Sequence, residues 1–205
     1  MQLQHADGPK EESNSVQDAM DSIATRLREL RVARGLGIRE LARRVGVTPS
    51  LLSQMERSSV NPSVVTLFRL AEALGTTTDY FFGNDRGPRA SEDPVVRRAD
   101  RARIELSGGI VWERITPTDE HDFEFMACMY PPGATSAVET QRHPGRDYGI
   151  LLEGTLIIDV GFRTFQLEPG DSIAFDASLP HRLTNPGPEV ARTIWVVLDR
   201  TRPPA

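Results

Sequence analysis

The chain has 205 residues, 39% of them hydrophobic and 26% charged, with a formal net charge of −5. This balance fits a soluble protein of one large or two small domains, and no apolar run approaches the ~20 residues a membrane-spanning helix needs. A single cysteine, Cys128, excludes an internal disulfide and fits a reducing cytoplasm. The charge is uneven. Residues 20–83 carry nine arginines against six acids, a net +3, whereas residues 103–205 carry nine against fifteen, a net −6. The basic excess lies where a nucleic-acid contact would need it, although an excess of this size also suits an ordinary solvated surface.

Residues 1–19, within MQLQHADGPKEESNSVQDAM, lack a basic start followed by an apolar core, so they read as a disordered polar tail and not as a signal peptide. From there Ile23, Leu27 and Leu30 fall at i, i+4 and i+7, one face of a helix. In IRELARRVGVTPSLLSQMER, Leu41, Ala42 and Val45 mark the inner face of a second helix. Gly46 can take the left-handed conformation that ends it, and Thr48 with Pro49 supply the N-cap and first position of a third. Ala42 leaves room for that third helix, whose approach Val47, Leu52 and Met55 fix by apolar contact. Ser63 can cap VVTLFRLAEAL, where Val64, Leu67, Leu70, Ala71 and Leu74 form an apolar stripe. Gly75 stops this helix before TTTDYFF, which completes a five-helix bundle over residues 20–83.

The turn glycine, the small residue and the cap, all in one register, resemble the helix-turn-helix domain of the phage-repressor (Cro/C1, XRE) family across residues 22–83. The resemblance implies that Arg31 and Glu56 form an ion pair tying the first helix to the end of the recognition helix. It also implies that the third helix enters the major groove of a double-stranded DNA operator, with Pro49, Ser50, Leu51, Ser53 and Gln54 near base edges. Gln54 can pair with adenine N6 and N7, and Leu51 can meet a thymine methyl. Arg39, Thr48 and Arg57 are placed for phosphate, which positions the protein without reading sequence. Taken singly, each polar residue is equally consistent with a solvated helix face.

GNDRGPRASEDPVVRRADRA is rich in charge, Gly and Pro and has no helical or alternating period, so residues 84–102 read as a linker. Beyond it the period changes to two. FEFMACMY sets Phe123, Phe125, Ala127 and Met129 against Glu124, Met126, Cys128 and Tyr130. DYGILLEG, TLIIDV, TFQLEPG, DSIAFD, HRLTN and ARTIWVVL follow, each bounded by Gly, Pro, Asn or Asp, which predicts a small all-β barrel or sandwich over residues 103–200 with a short tail, 201–205.

HPGRDYGILLEG, LEPGDSIAFD and LPHRLTNPG resemble the two motifs of the cupin barrel (a double-stranded β-helix, or jelly roll), over about residues 105–198. A cupin behind a repressor-type helix-turn-helix is similar to the bacterial cupin-containing transcriptional regulators. In cupins two His and a carboxylate of the first motif and one His of the second bind metal, which here implies Gln141, His143, Asp147 and His181. Gln thus replaces one His, and Asp the longer Glu. His143, Asp147 and His181 still make a two-His, one-carboxylate set for a divalent metal such as Fe, Zn, Ni or Mn, with Gln141 a weak fourth ligand. Gln141 and His143, two apart, would share a strand face, whereas Pro144 and Gly145 break the parity before Asp147. The competing reading is a metal-free polar cluster that binds an effector by hydrogen bonds or responds to pH.

Other candidates are weaker. Lys10 is the only lysine and falls in the tail, which excludes Schiff-base chemistry in the barrel. Cys128 reads as packing before redox sensing, His121 as surface, and Met126, Met129, Trp112 and Trp195 as core or pocket lining. The expectation is therefore a cytoplasmic, homodimeric (or larger) DNA-binding regulator that senses a small-molecule effector, with no membrane role and no catalytic residue. The alternative is a non-haem iron cupin oxygenase or epoxidase carrying an accessory helix-turn-helix.

Overall fold

A computed structural model of the chain describes residues 23–82, 94–117, 123–138 and 140–198. The predicted tails with Lys10, and His121, lie outside these residues. Helix α1 occupies residues 23–33, followed by α2 (Ile38–Val45), α3 (Pro49–Met55) and α4 (Val64–Leu74). Their local signals act as the sequence predicts. Gly46 and Gly75 end α2 and α4 at φ 77° and 63°, and the Thr48 and Ser63 hydroxyls accept the amides of Leu51 and Thr66, each at 3.1 Å.

The expected fifth helix is instead a 3-10 turn, Thr78–Phe82. Five residues are too few for a stable α-helix, and the tighter turn delivers Phe81 and Phe82 into a core built on Leu27, Leu41, Leu52, Leu67 and Leu70. The bundle therefore has four α-helices among the described residues. None of the described helices is long and apolar enough to cross a membrane.

Of the predicted linker, residues 84–93 lie outside the described chain, while 94–102 include a 3-10 turn, Arg98–Asp100, and the buried Ala102. Nine antiparallel strands follow among the described residues: β1 (Arg103–Leu106), β2 (Ile110–Arg114), β3 (Glu124–Tyr130), β4 (Arg146–Glu153), β5 (Leu156–Val160), β6 (Arg163–Leu167), β7 (Ser172–Asp176), β8 (His181–Thr184) and β9 (Ala191–Leu198). β1 and β2 are additions to the predicted set. Three of the first four residues of β2 are buried, so it shows no alternation to read.

Strand pairing gives two open sheets, ordered β1-β2-β3-β9-β4-β7 and β6-β5-β8, where a closed barrel was expected. The bridges Gln141↔His181 and Thr135↔Thr184 extend the smaller sheet, and apolar packing between the two sheets does the work that closure would do. Within the larger sheet, Gly149 on β4 makes room for the Trp195 ring of its partner strand β9, because a Cβ there would sit 2.5 Å from that ring.

The two halves share one continuous apolar core. Ser107 donates its amide to the Pro62 carbonyl at 2.9 Å, and the buried Arg114 guanidinium reaches Asp79 at 3.1 Å. Phe68 of α4 meets Trp112 of β2 edge-on, with centroids 6.0 Å apart.

Candidate functional site

Helix α3 begins at the surface and ends in the core. Thr48, Pro49 and Ser50 are exposed, Leu51, Ser53 and Gln54 are half-buried, and Leu52 and Met55 are buried. Leu51 packs partly on the core, and the Thr48 hydroxyl oxygen is engaged as the cap, leaving its proton to donate. Arg39 and Arg57 are exposed near the two ends of this surface. Behind it Arg31 grips Glu56 in a two-point pair, Nε to Oε1 at 2.6 Å and Nη2 to Oε2 at 2.9 Å, while Nη1 donates to the Leu36 carbonyl. The pair sits where the resemblance implies and fixes α1 to the end of α3.

The second cluster is built by the strands. The β8 start carries His181, the β4 start Asp147, and the segment before β4 Gln141 and His143, whose backbones hydrogen-bond to His181 and Ala177. The bend at Pro144 and Gly145, with Gly145 at φ 101°, brings Asp147 back toward the histidines. His143 Nε2 lies 3.4 Å and His181 Nε2 3.8 Å from Asp147 Oδ2, and one ligand atom from each residue falls within 4.8 Å of the others.

Tautomers follow from the second nitrogens. His181 Nδ1 donates to the Leu179 carbonyl at 3.0 Å and His143 Nδ1 to the Pro144 carbonyl at 3.3 Å, so each neutral ring turns a lone pair on Nε2 inward. Gln141 Nε2 donates to His181 Nε2 at 3.1 Å, leaving Gln141 Oε1 and Asp147 Oδ1 buried with no hydrogen-bond partner. Two inward imidazole nitrogens, a carboxylate and orphaned oxygens form a donor set that fits a divalent cation, and such an ion would polarise an oxygen-bearing ligand.

The environments drive the two histidines apart. Burial works against a charged His143, yet the hydrogen bond and charge of Asp147, helped by the Pro144 carbonyl, raise its pKa. Burial lowers that of His181, which the Leu179 carbonyl and Asp147 only partly offset. The cluster can therefore hold either a proton on His143 or a metal in its place.

Two features of the surroundings, Phe68 and Glu124, were missed in the sequence. Phe68 of α4 stacks on His143, with centroids 4.3 Å apart and planes 7° from parallel, so the first domain supplies one wall of the site. Glu124 lines the cleft outside, with its carboxyl buried beside the Thr78 hydroxyl. Its signal was legible: it shares a strand face with Met126, Cys128 and Tyr130, all buried, where a carboxylate is out of place. Trp112, Met126, Cys128 and Trp195 line a small inner cavity of about 30 Å³ beneath Phe68, and burial pushes the Cys128 thiol pKa well up, leaving it an inert packing group. Met129 instead accepts a contact from Arg192.

A DNA-reading helix-turn-helix docked onto a cupin-type β-domain with a His-Asp-His cluster defines a two-domain transcriptional regulator. The helix-turn-helix family model matches residues 27–81 and the cupin domain model residues 126–197. The HTH-type transcriptional regulator PuuR of Escherichia coli (strain K12) is 28% identical over 171 residues, which are 82% of this chain and 90% of that one. RC0668, an uncharacterized HTH-type transcriptional regulator of Rickettsia conorii, is 32% identical over 108 residues, 52% of this chain and 84% of its own. The crystal structure of an HTH_3 family transcriptional regulator from Vibrio cholerae shares the fold, with a TM-score of 0.65 at 20% identity over 90% of this chain and 99% of that one. The chain belongs to the XRE-type helix-turn-helix regulators with a C-terminal cupin domain and is a DNA-binding transcriptional regulator.

Proposed function

We propose that this regulator is effector-responsive: a small molecule, alone or on a divalent metal, binds at Gln141, His143, Asp147 and His181 and changes operator affinity. The observation that carries this reading is the stacking of Phe68 on His143. A ligand approaching the cluster from the cleft presses on a ring of α4, and α4 packs against α2 of the helix-turn-helix, so occupancy can bias the placement of α3. The protein acts in the cytoplasm as a homodimer, because one head buries little surface while two can engage half-sites about 34 Å apart. Regulatory relatives along most of the chain favour a sensor over the iron-oxygenase alternative.

The test starts from an operator selected out of random DNA with the full chain and a metabolite found by thermal shift, before and after chelation. His143→Ala with His181→Ala should leave operator binding near normal and abolish its change with the metabolite. A double variant that still responds places the sensing site elsewhere, and metabolite consumption by the iron-loaded wild type returns the enzyme.

On the DNA side, Pro49, Ser50, Leu51, Ser53 and Gln54 are proposed to face bases, and Arg39, Thr48 and Arg57 phosphates. Gln54→Ala should cost about 1–3 kcal/mol on the best operator and relax preference at one base pair. Arg57→Ala should weaken all sequences alike and lower the salt slope by about 1. Competition binding against single-base operator variants at several salt concentrations separates the two, and unchanged preference in Gln54→Ala would move the reading face off α3.

A further inference from the structure

The two sheets differ on their outward faces. On the smaller sheet the residues that alternate with the core are mostly polar: Asp159, Thr164, Gln166, Arg182 and Thr184 surround Ile157, and Asp159 accepts from both Thr164 and Arg182. On the larger sheet they are not. Its register builds two rows across β7, β4, β9 and β3. One is Ala174, Tyr148, Val196 and Phe125, and the other is Ser172, Ile150, Ile194 and Ala127. No charged side chain stands in either row, and Leu152, 48% exposed, extends the apolar surface along β4. Tyr148 and Ile150 are 37% and 36% exposed, and both rows lie outside the apolar core that the sheets enclose.

A solvated antiparallel sheet alternates apolar and polar residues, whereas a sheet covered on both sides reads apolar throughout, as GILL, FMACM and IWVV do here. The cover has to match a twisted, ridged surface. Two sheets pack about 10 Å apart with their strands within about 30° because both twist with the same hand, and a second copy of this chain offers an identical face. The size fits as well. At ~4.8 Å between strands and ~3.3 Å per residue, the face of β3, β9, β4 and β7 covers about 400 Å² in projection. Side chains standing off it expose roughly twice that, close to the ~800 Å² per partner of a standard interface. Charge borders the apolar centre at both strand ends, where Arg146 lies over the Tyr148 ring and Arg192 pairs with Glu153 at 2.9 Å. An apolar centre with a charged rim is how protein interfaces are built.

We propose that the outward face of the larger sheet is the homodimer interface, with the same face of a second copy packed on it about a two-fold axis. The proposal rests on the homodimer reading and names its surface. Asp147 alternates with Tyr148 along β4 and is buried on the opposite face, so the joint leaves the His-Asp-His cluster clear.

Sedimentation equilibrium of the full-length protein without DNA should show a dimer. Ile150→Lys, which sets an ammonium against the partner's apolar rows, should raise the dimer Kd about a hundredfold or more, with circular dichroism confirming the fold. Phe162→Lys, at the fully exposed turn between β5 and β6, should leave the Kd unchanged. In wild type mixed from isotope-labelled and unlabelled chains, filtered NMR should show contacts between copies at the methyl groups of Ile150, Leu152, Ile194 and Val196. A dimer without those contacts, or one as tight in folded Ile150→Lys, overturns the interface while the homodimer stands. A wild type still monomeric at about 100 μM overturns both, whether the chain's own ends cover the face or it is left to a different protein.

Discussion

Glu56→Ala should destabilise the helix-turn-helix by about 3–5 kcal/mol, the cost of stranding a largely buried charge. The Arg31 and Glu56 side chains are only 13% and 7% exposed, and the two-point geometry with the added Leu36 carbonyl leaves the guanidinium well satisfied as long as Glu56 is there. Removing the carboxylate leaves that cation enclosed with one carbonyl, which is a different situation from an exposed pair such as Glu40 with Arg43, where water and salt screen the charges. Both tryptophans lie in the β-domain, so fluorescence is blind to this event. Native-state hydrogen exchange of α1 and α3 amides in the full-length protein reads it directly. A loss under about 1 kcal/mol would make the pair a surface one.

Wild type should lose about 3 kcal/mol of stability between pH 5 and pH 8 through Glu124, and Glu124→Gln should not lose it. Burial is the main cause of the raised pKa, with Asp79 and Asp147 adding to it and Thr78 and His143 opposing it, and the result is about 7 against an ordinary 4.5. A carboxyl raised on folding is held protonated in the native state. Its contribution is complete below the unfolded value near 4.5 and disappears as pH rises through about 7. The amide of Gln mimics the protonated form at every pH, so the variant should match wild type at pH 5 and exceed it at pH 8. Urea unfolding followed by Trp112 and Trp195 gives the difference between the two proteins, in which His181 cancels and His143 enters through its coupling to Glu124. An equal difference at both pH values would show that Glu124 keeps its ordinary titration.

The sequence by itself determined what depends on neighbours along the chain. Helix ends at Gly46 and Gly75 and caps at Thr48 and Ser63 are set within one turn, and the helix-turn-helix register follows from them. The polar set Gln141, His143, Asp147 and His181 was legible through its two motifs, and the fold does bring these residues together. Only the tertiary structure decided how the pieces meet. Linker composition reports chain stiffness and says nothing about whether the domains it joins share surface, so the stacking of Phe68 on His143 and the Arg114 to Asp79 pair could not be read from it. The same holds for the open sheets, since alternation places side chains on faces without choosing which strand edges pair. Glu124 marks the boundary between the two: its register on β3 was visible in the alternation, but its enclosure depends on α4 and the turn after it closing over the cleft, and burial of that kind is a property of the assembled molecule.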